Sequence, residues 1–402
     1  MAKYDYLVLG AGVVGLSIAI ELRTRFPKAS VHVLEKESGD SMHASGRNSG
    51  VLHAGFYYSP DSLKAKLTVD GNRRLKEFCQ TEGVPVVTCG KVVVAQHGDQ
   101  VPLLLELKRR GDANGVELDL VDEVELRKLE PLAETKEVAL WSPNTAVSDP
   151  KAVSKALRTK AQRVGVSFEF ETQVVRLGSH FATTSTGQRI DFDHFVNAAG
   201  LYSDKIAQMQ GFGEKYSMMP FIGLYHYAPA LKGTLKRHIY PTPDPRNPFL
   251  GVHFTRTVDG SVKVGPTAIP LLSREQYSVL QGLNAREFME ILSNYPKFIT
   301  SGHHDVWSLV RTELPKLSRS HLLGQAKKLS SKIDVSKFNV FGKPGIRAQL
   351  FDRSLGKLEM DFVVEGDSNS THVLNAVSPG WTTCLSFAEY VVDGIEARQG
   401  AR

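Results

Sequence analysis

The chain has 402 residues, 42% of them hydrophobic and 23% charged, with a formal net charge of +6. Such a length exceeds one ordinary core and implies two interleaved or consecutive globular domains. Basic residues are scattered rather than interleaved with aromatics, which excludes a nucleic-acid tract, and three cysteines (Cys79, Cys89, Cys384) without CxxC spacing exclude a disulfide framework or zinc site. A reducing compartment follows from the same cysteines. No apolar run reaches membrane-spanning length, and Met1-Ala2-Lys3 leads straight into the first strand, so neither a span nor a leader is expected. The expected location is cytoplasmic, and the modest positive charge leaves peripheral contact with anionic lipid open. Oligomeric state is left unassigned.

Residues 4–9 read as a short buried strand and residues 16–22 as a helix of good formers. Between them stands Gly10-Ala11-Gly12-Val13-Val14-Gly15. In that context Gly10 permits a tight turn, Gly12 lets backbone approach a pyrophosphate, and Gly15 packs helix on strand. The helix start then offers free N–H groups and a positive dipole end to phosphates. A second strand, residues 30–34, ends in Glu35, whose carboxylate suits two ribose hydroxyls and would repel a 2′-phosphate. These residues establish a dinucleotide site.

The loop Met42-His43-Ala44-Ser45-Gly46-Arg47-Asn48-Ser49-Gly50 is small and polar, as suits a crossing over a long cofactor. Residues 63–82 read as a helix, 84–95 as two strands broken at Cys89-Gly90, and 101–114 and 122–129 as charged helices. Asp149-Pro150 starts another helix, followed by an expected strand pair at 167–173 and 181–184. A buried strand then closes on Ala198-Ala199-Gly200, small residues that admit a ligand close to backbone. From 218 to 267 aromatic, proline-bearing strands predict an antiparallel sheet inserted into the first domain, and 274–329 reads as mostly helical. Lys343-Pro344-Gly345-Ile346-Arg347-Ala348 and the strand at 372–376 return to the texture of the cofactor domain. The last helix, 382–397, begins after Ser378-Pro379-Gly380-Trp381. The expected architecture is α/β (α+β overall): a Rossmann-type cofactor domain (1–88, 145–215, 338–402) with an inserted antiparallel-sheet substrate domain (89–144, 216–337).

The chain resembles the FAD-dependent oxidoreductases of the D-amino-acid-oxidase/glycine-oxidase superfamily, and within it the L-2-hydroxyglutarate dehydrogenases (oxidases). The likeness rests on Leu34-Glu35-Lys36-Glu37, on Asn48 through Gly55, Tyr57-Tyr58, Ser62-Leu63-Lys64-Ala65-Lys66 and Cys89-Gly90-Lys91. It continues through Ile239-Tyr240-Pro241, Asp244-Pro245, Pro248 through His253, Thr255-Arg256, Asp259-Gly260-Ser261 and Gly265-Pro266. It ends with Gly345-Ile346-Arg347-Ala348-Gln349, His372, Asn375-Ala376 and Ser378-Pro379. The block from 239 to 266 is far more specific than the glycine loop. Three positions depart from those enzymes: Arg47 replaces a histidine, Ile222-Gly223-Leu224-Tyr225 replaces an Arg-Gly-acid-Tyr run, and Gly380-Trp381-Thr382 stands where Ala-(small)-Thr is usual.

The resemblance implies FAD, held non-covalently, and oxidation of a small anionic 2-hydroxy acid, foremost L-2-hydroxyglutarate to 2-oxoglutarate. An electron acceptor (quinone, carrier or oxygen) completes the reaction. A hydride would pass from the carbinol carbon to flavin N5 while a base takes the hydroxyl proton. Alternatives on the same scaffold are an amino-acid or amine oxidase and a glycerol-3-phosphate-type dehydrogenase; a third is a flavin-binding carrier without a small substrate of its own. The expected cofactor contacts are Gly10, Gly12, Val13, Val14, Gly15, Glu35, Lys36, Ser45, Arg47, Asn48, Ser49, Gly50, Val174, Ala198, Ala199, Gly200, Gly345, Gly380, Trp381, Thr382 and Thr383. The final helix would aim its positive end at the flavin N1/C2-oxygen region.

Of thirteen histidines, His53 and His372 rank first as the base, with His253 third. Arg256 and Arg347 are the expected carboxylate clamps, and Tyr58 joins the catalytic set. Tyr57, Lys64, Tyr240 and Asn375 complete the expected substrate wall. His303-His304 reads as a surface turn, and no metal site is expected.

Overall fold

The computed structural model describes residues 2–244, 247–278 and 281–400, so Pro245 of the Asp244-Pro245 motif lies outside the described residues. The strands Ala2–Leu9, Val31–Leu34, Arg189–Asn197 and Ser370–Asn375 run parallel, with Leu9 level with both Leu34 and Asn197, and Asn197 level with His372. Their carboxyl ends therefore form one rim, which is where open α/β sheets bind ligands. Near-continuous apolar runs such as Leu7-Val8-Leu9 suit strands covered on both faces. One face carries the helices Val13–Arg25, Pro150–Arg163 and Cys384–Gly400, whose Leu16, Ile18, Leu22, Leu157, Val391 and Ile395 share one core with Val8 and Val33. As the sequence predicts, Asp149 caps Pro150–Arg163, accepting from the N–H groups of Lys151 (2.7 Å) and Ala152 (3.2 Å).

The expected strand at 167–173 is shorter and pairs elsewhere. Ser167–Glu169 runs parallel beside Val31–Leu34, and it is Val174–Leu177 that pairs with Phe181–Thr184. The reason is local. Glu171 takes φ 55°, and the N–H groups of Glu171 and Thr172 donate to the carbonyls of Glu37 and Glu35, so the chain turns around the end of the Val31–Leu34 strand.

An eight-stranded sheet orders Val340–Phe341, His226–Ala228, Val262–Gly265, His253–Arg256, His238–Pro241, Lys91–Val94, Val138–Ser142 and Asp119–Asp122. It is antiparallel except where His238–Pro241 runs parallel to Lys91–Val94. A four-stranded sheet holds Ile269–Pro270, Tyr216–Gly223, Gly345–Asp352 and Lys357–Leu358. Gly345–Asp352, read from sequence as a return to the cofactor texture, thus pairs antiparallel with Tyr216–Gly223 rather than with the parallel sheet. The helices Ala285–Thr300, Val306–Glu313 and Arg319–Leu329 occupy the expected helical stretch.

Candidate functional site

A cavity of about 710 Å³ starts at the rim of the parallel sheet and ends against the sheets that carry Tyr216–Gly223 and His253–Arg256. That volume is in the range of small-molecule and cofactor sites. At its first end Gly10 takes φ +107°, and a side chain there would bring Cβ within 2.5 Å of the Ala198 carbonyl oxygen. A Cβ on Gly15 would collide with the Gly10 carbonyl oxygen, which accounts for the third glycine as a packing residue outside the cavity. The helix Val13–Arg25 starts at Gly12 with no side-chain cap from Gly12 and no acid in its first turn, so its positive end faces the cavity. Ser45 accepts from the Val13 N–H (3.1 Å), and Glu35 accepts from the Ala11 N–H (2.8 Å) and the Glu37 N–H (3.0 Å).

Of the expected contacts, Gly10, Gly12, Val13, Val14, Glu35, Lys36, Ser45, Arg47, Asn48, Ser49, Val174, Ala198, Ala199, Gly200, Gly345, Gly380, Trp381 and Thr382 all line this one cavity. So do His53, Tyr240, His253 and Arg347 at its far end. Gly50 and Thr383 stand just behind it. Gly50 bonds its carbonyl to the Ser148 N–H, and the Thr383 hydroxyl donates to the Pro379 carbonyl. Cys384 is buried beside Ser17 and Cys79, away from the lining.

The far wall is built from rings and cations. Tyr240 and His253 stack at 3.7 Å between centroids, and His253 Nδ1 donates to the Gly251 carbonyl at 2.8 Å. Burial holds the His253 imidazole down to about 3, with the positive charges of Lys91, Lys263 and Lys316 adding to the effect. His53 is also held well below the ordinary histidine value, first by burial and then by Lys91, His253 and Arg347. Its backbone is fixed from three sides: the His53 N–H donates to Thr382 Oγ1 (3.2 Å), and Asn72 Nδ2 donates to the carbonyls of Leu52 (3.0 Å) and His53 (3.1 Å). Both imidazoles are therefore neutral near pH 7. Arg347 lies over the Phe249 ring at 4.8 Å and has no carboxylate partner among the described residues.

Several expected side chains are elsewhere. His372 sits level with Asn197, one residue short of the rim where Ala198 begins the lining. Its Nδ1 faces Asn197 Nδ2 (3.3 Å), its Nε2 faces Ser370 Oγ (3.2 Å), and its ring packs on Phe212 at 4.8 Å. Arg256 is three residues beyond His253 on the same strand, so the alternation of side chains turns it to the opposite face. Asn375 spends its amide on the carbonyls of Glu359 (2.9 Å) and Asp361 (2.6 Å). Tyr58 bonds to the Ser378 side chain, and Lys64 is buried near Tyr58 and Phe362, its ammonium pushed down to about 8 by burial. Tyr57 is half-buried, with its hydroxyl enclosed and unpartnered. None of these six lines the cavity.

Other residues reach the site that the sequence reading missed. Tyr225 lines it, with its hydroxyl on Ser49, while Lys263 Nζ donates to the Ser49 carbonyl at 2.8 Å. Glu275 lines it too and pairs with Lys36 Nζ at 2.6 Å, and Tyr277 Oη lies 2.7 Å from His43 Nδ1 with Arg47 over its ring at 4.1 Å. The strand alternation also settles the Ile222/Leu224 departure. Phe221, Gly223 and Tyr225 face the cavity, whereas Ile222 and Leu224 pack into the apolar cluster of Ile269, Ile346 and Leu350. The missing cation and acid are thus lost from the back of that strand. Trp381, by contrast, belongs to the lining and packs against the core of the parallel-sheet domain.

The family model described as FAD dependent oxidoreductase matches residues 5–393. The chain is 37% identical to the L-2-hydroxyglutarate dehydrogenase of Indibacter alkaliphilus over 97% of this chain and 98% of that protein. It is 34% identical to the mitochondrial L-2-hydroxyglutarate dehydrogenase of Homo sapiens, over 99% of this chain and 89% of that one. Among solved structures, L-alpha-glycerophosphate oxidase from Mycoplasma pneumoniae with FAD bound superposes at a TM-score of 0.79 with 22% identity, covering 98% of this chain and 95% of that one. In this chain the acid-free helix start, the glycine turn and Glu35 fit an FAD dinucleotide, and the chain belongs to the FAD-dependent oxidoreductases.

Proposed function

We propose that the protein oxidises L-2-hydroxyglutarate to 2-oxoglutarate, with Arg347 holding a substrate carboxylate and His53 taking the hydroxyl proton. The observation that carries this reading is Arg347 itself: a guanidinium on the cavity wall with no acidic partner among the described residues, beside a histidine kept neutral. A half-buried guanidinium without an ion-paired carboxylate is under-solvated, and a substrate carboxylate in a two-toothed contact offsets that cost. Tyr225, Tyr240 and His253 narrow the same wall. FAD, which Gly10, Gly12 and Glu35 would hold at the other end of the cavity, would supply the hydride acceptor for the carbinol carbon. The neutral His53 ring accepts the hydroxyl proton, and the positive charges around it disfavour its keeping that proton, which eases release to solvent after each turnover.

The test is anaerobic mixing of the holoenzyme with candidate donors. Bleaching of the bound flavin by L-2-hydroxyglutarate supports the reading; bleaching only by amino acids, amines or glycerol phosphate overturns it. Re-oxidation by a soluble quinone, by a carrier or by oxygen identifies the acceptor.

For the location we infer peripheral membrane contact through the helical stretch. Among the described residues no helix is long and apolar enough to cross a membrane. Met289, Trp307 and Leu317 are however exposed at 64%, 63% and 62%, and Leu292, Ile299 and Leu314 join them. Exposed large apolar side chains on adjacent helices suit the interface of a bilayer. Co-sedimentation with vesicles of phosphatidylglycerol, lost in a Trp307→Ser/Leu317→Ser variant, checks this.

A further inference from the structure

Lys91 is fully buried, and its ammonium has no hydrogen-bond partner. Instead it is boxed by three rings: Phe56 and Tyr57 at 4.6 Å each and Tyr240 at 4.7 Å. One of these rings belongs to the site's wall, and the other two stand behind it. Tyr240 lines the cavity and stacks on His253, while Phe56 and Tyr57 follow His53 along the chain. Lys91 itself does not line the cavity. It therefore stands directly behind the wall that carries both neutral histidines. Nothing in its packing calls for a charge, because a methionine fills the same tube of space without the desolvation cost. Three ring faces do accommodate a cation once it is there.

We infer that Lys91 is a positioning residue that acts through its charge across the Tyr240–His253 wall, keeping His53 unprotonated and raising the cavity's affinity for an anionic substrate. The inference rests on His53 as the base of the proposed reaction. The groups facing His53 are Lys91, His238, His253 and Arg347, all of them bases with no acid among them. Burial brings the Lys91 ammonium itself down to about 7, so the device is charged on the acid side of neutrality, where protonation of His53 would otherwise stop the reaction. The sign is consistent: removing a positive neighbour raises the histidine value.

The experiment compares the wild-type holoenzyme with Lys91→Met and Lys91→Gln. Flavin reduction by L-2-hydroxyglutarate in the wild type is measured first, so that failure of the substrate reading is seen separately. Whatever donor reduces the flavin is then used for the pH profile of kcat/KM. Titration of the His53 ring resonance, identified with His53→Gln, gives a readout independent of substrate. The expected result is an acid limb and a His53 titration displaced upward by about one pH unit, with KM raised and the melting temperature unchanged or higher in Lys91→Met. An unmoved acid limb and an unmoved His53 titration in either variant overturn the inference. A lowered melting temperature in both variants with an unmoved titration also overturns it, and assigns Lys91 to packing alone.

Discussion

His53 and Arg347 have opposite protonation states on one wall: burial keeps His53 neutral, while the guanidinium of Arg347 stays charged in spite of it. Replacing His53 with Gln keeps a polar side chain of similar reach but removes the base. The expected loss in kcat is about 10²- to 10⁴-fold, with bound FAD and its absorption spectrum retained, as read by stopped-flow reduction. Replacing Arg347 with Met removes the clamp without opening a large hole over Phe249. A charge-assisted contact is worth about 1.5–3 kcal/mol, so KM for the hydroxy acid should rise by about 10- to 100-fold while FAD affinity stays put. Steady-state kinetics at fixed ionic strength measures it. At this scale the cavity-lining Gly10, Gly12 and Glu35 were legible because they are set by local turn and helix-start geometry. His372 and Arg256 misled because sequence does not tell how far along a strand the rim lies, or which face an odd-numbered step selects. Lys91 and Tyr225 were missed for a related reason: their roles arise only when strands distant in sequence meet.

The final helix packs against both Val13–Arg25 and Leu63–Thr81, and its start meets the second of these. At the contact, Gly71 leaves no room: a Cβ there would come within 2.8 Å of both Ser386 Oγ and Thr383 Cα. Gly→Ala in a helix interior ordinarily gains about 1 kcal/mol of propensity. Here backbone stands in the way, so the steric term wins and the two helices must separate. Gly380, Trp381 and Thr382 ride on that helix start and line the cavity. Gly71→Ala is therefore expected to lower the melting temperature and to speed FAD loss, although Gly71 is itself outside the cavity lining. Measuring FAD release by fluorescence checks it, and wild-type release would refute the packing account. Element order was well readable from capping and periodicity, as at Asp149-Pro150. Strand partners were not, because the turn at Glu171 depends on carbonyls offered by Glu35 and Glu37 from another strand.

Around the cavity the molecule is tied by Lys36 to Glu275, both on its lining, and by the buried pair Arg274 to Asp204 at 2.6 Å. Those ties alone leave a long cleft, about 710 Å³, between the glycine turn and the Arg347 wall. A dinucleotide that touches both ends binds the native state and not the unfolded chain, so it must stabilise folding by mass action. Free FAD at a hundred times its Kd should add about 2.7 kcal/mol. Stripping FAD is then expected to lower the melting temperature by several degrees, and titrating FAD back should restore it in proportion to the logarithm of its concentration. ADP reaches only the Gly10–Glu35 end, so it should restore a fraction, and Glu35→Ala should abolish that fraction. FAD should exceed ADP and FMN added together, because one linked ligand loses translational freedom once rather than twice. Equal shifts from FAD and from the separate halves would mean that the two ends of the cleft fold independently, and that the cofactor is held by the parallel sheet alone.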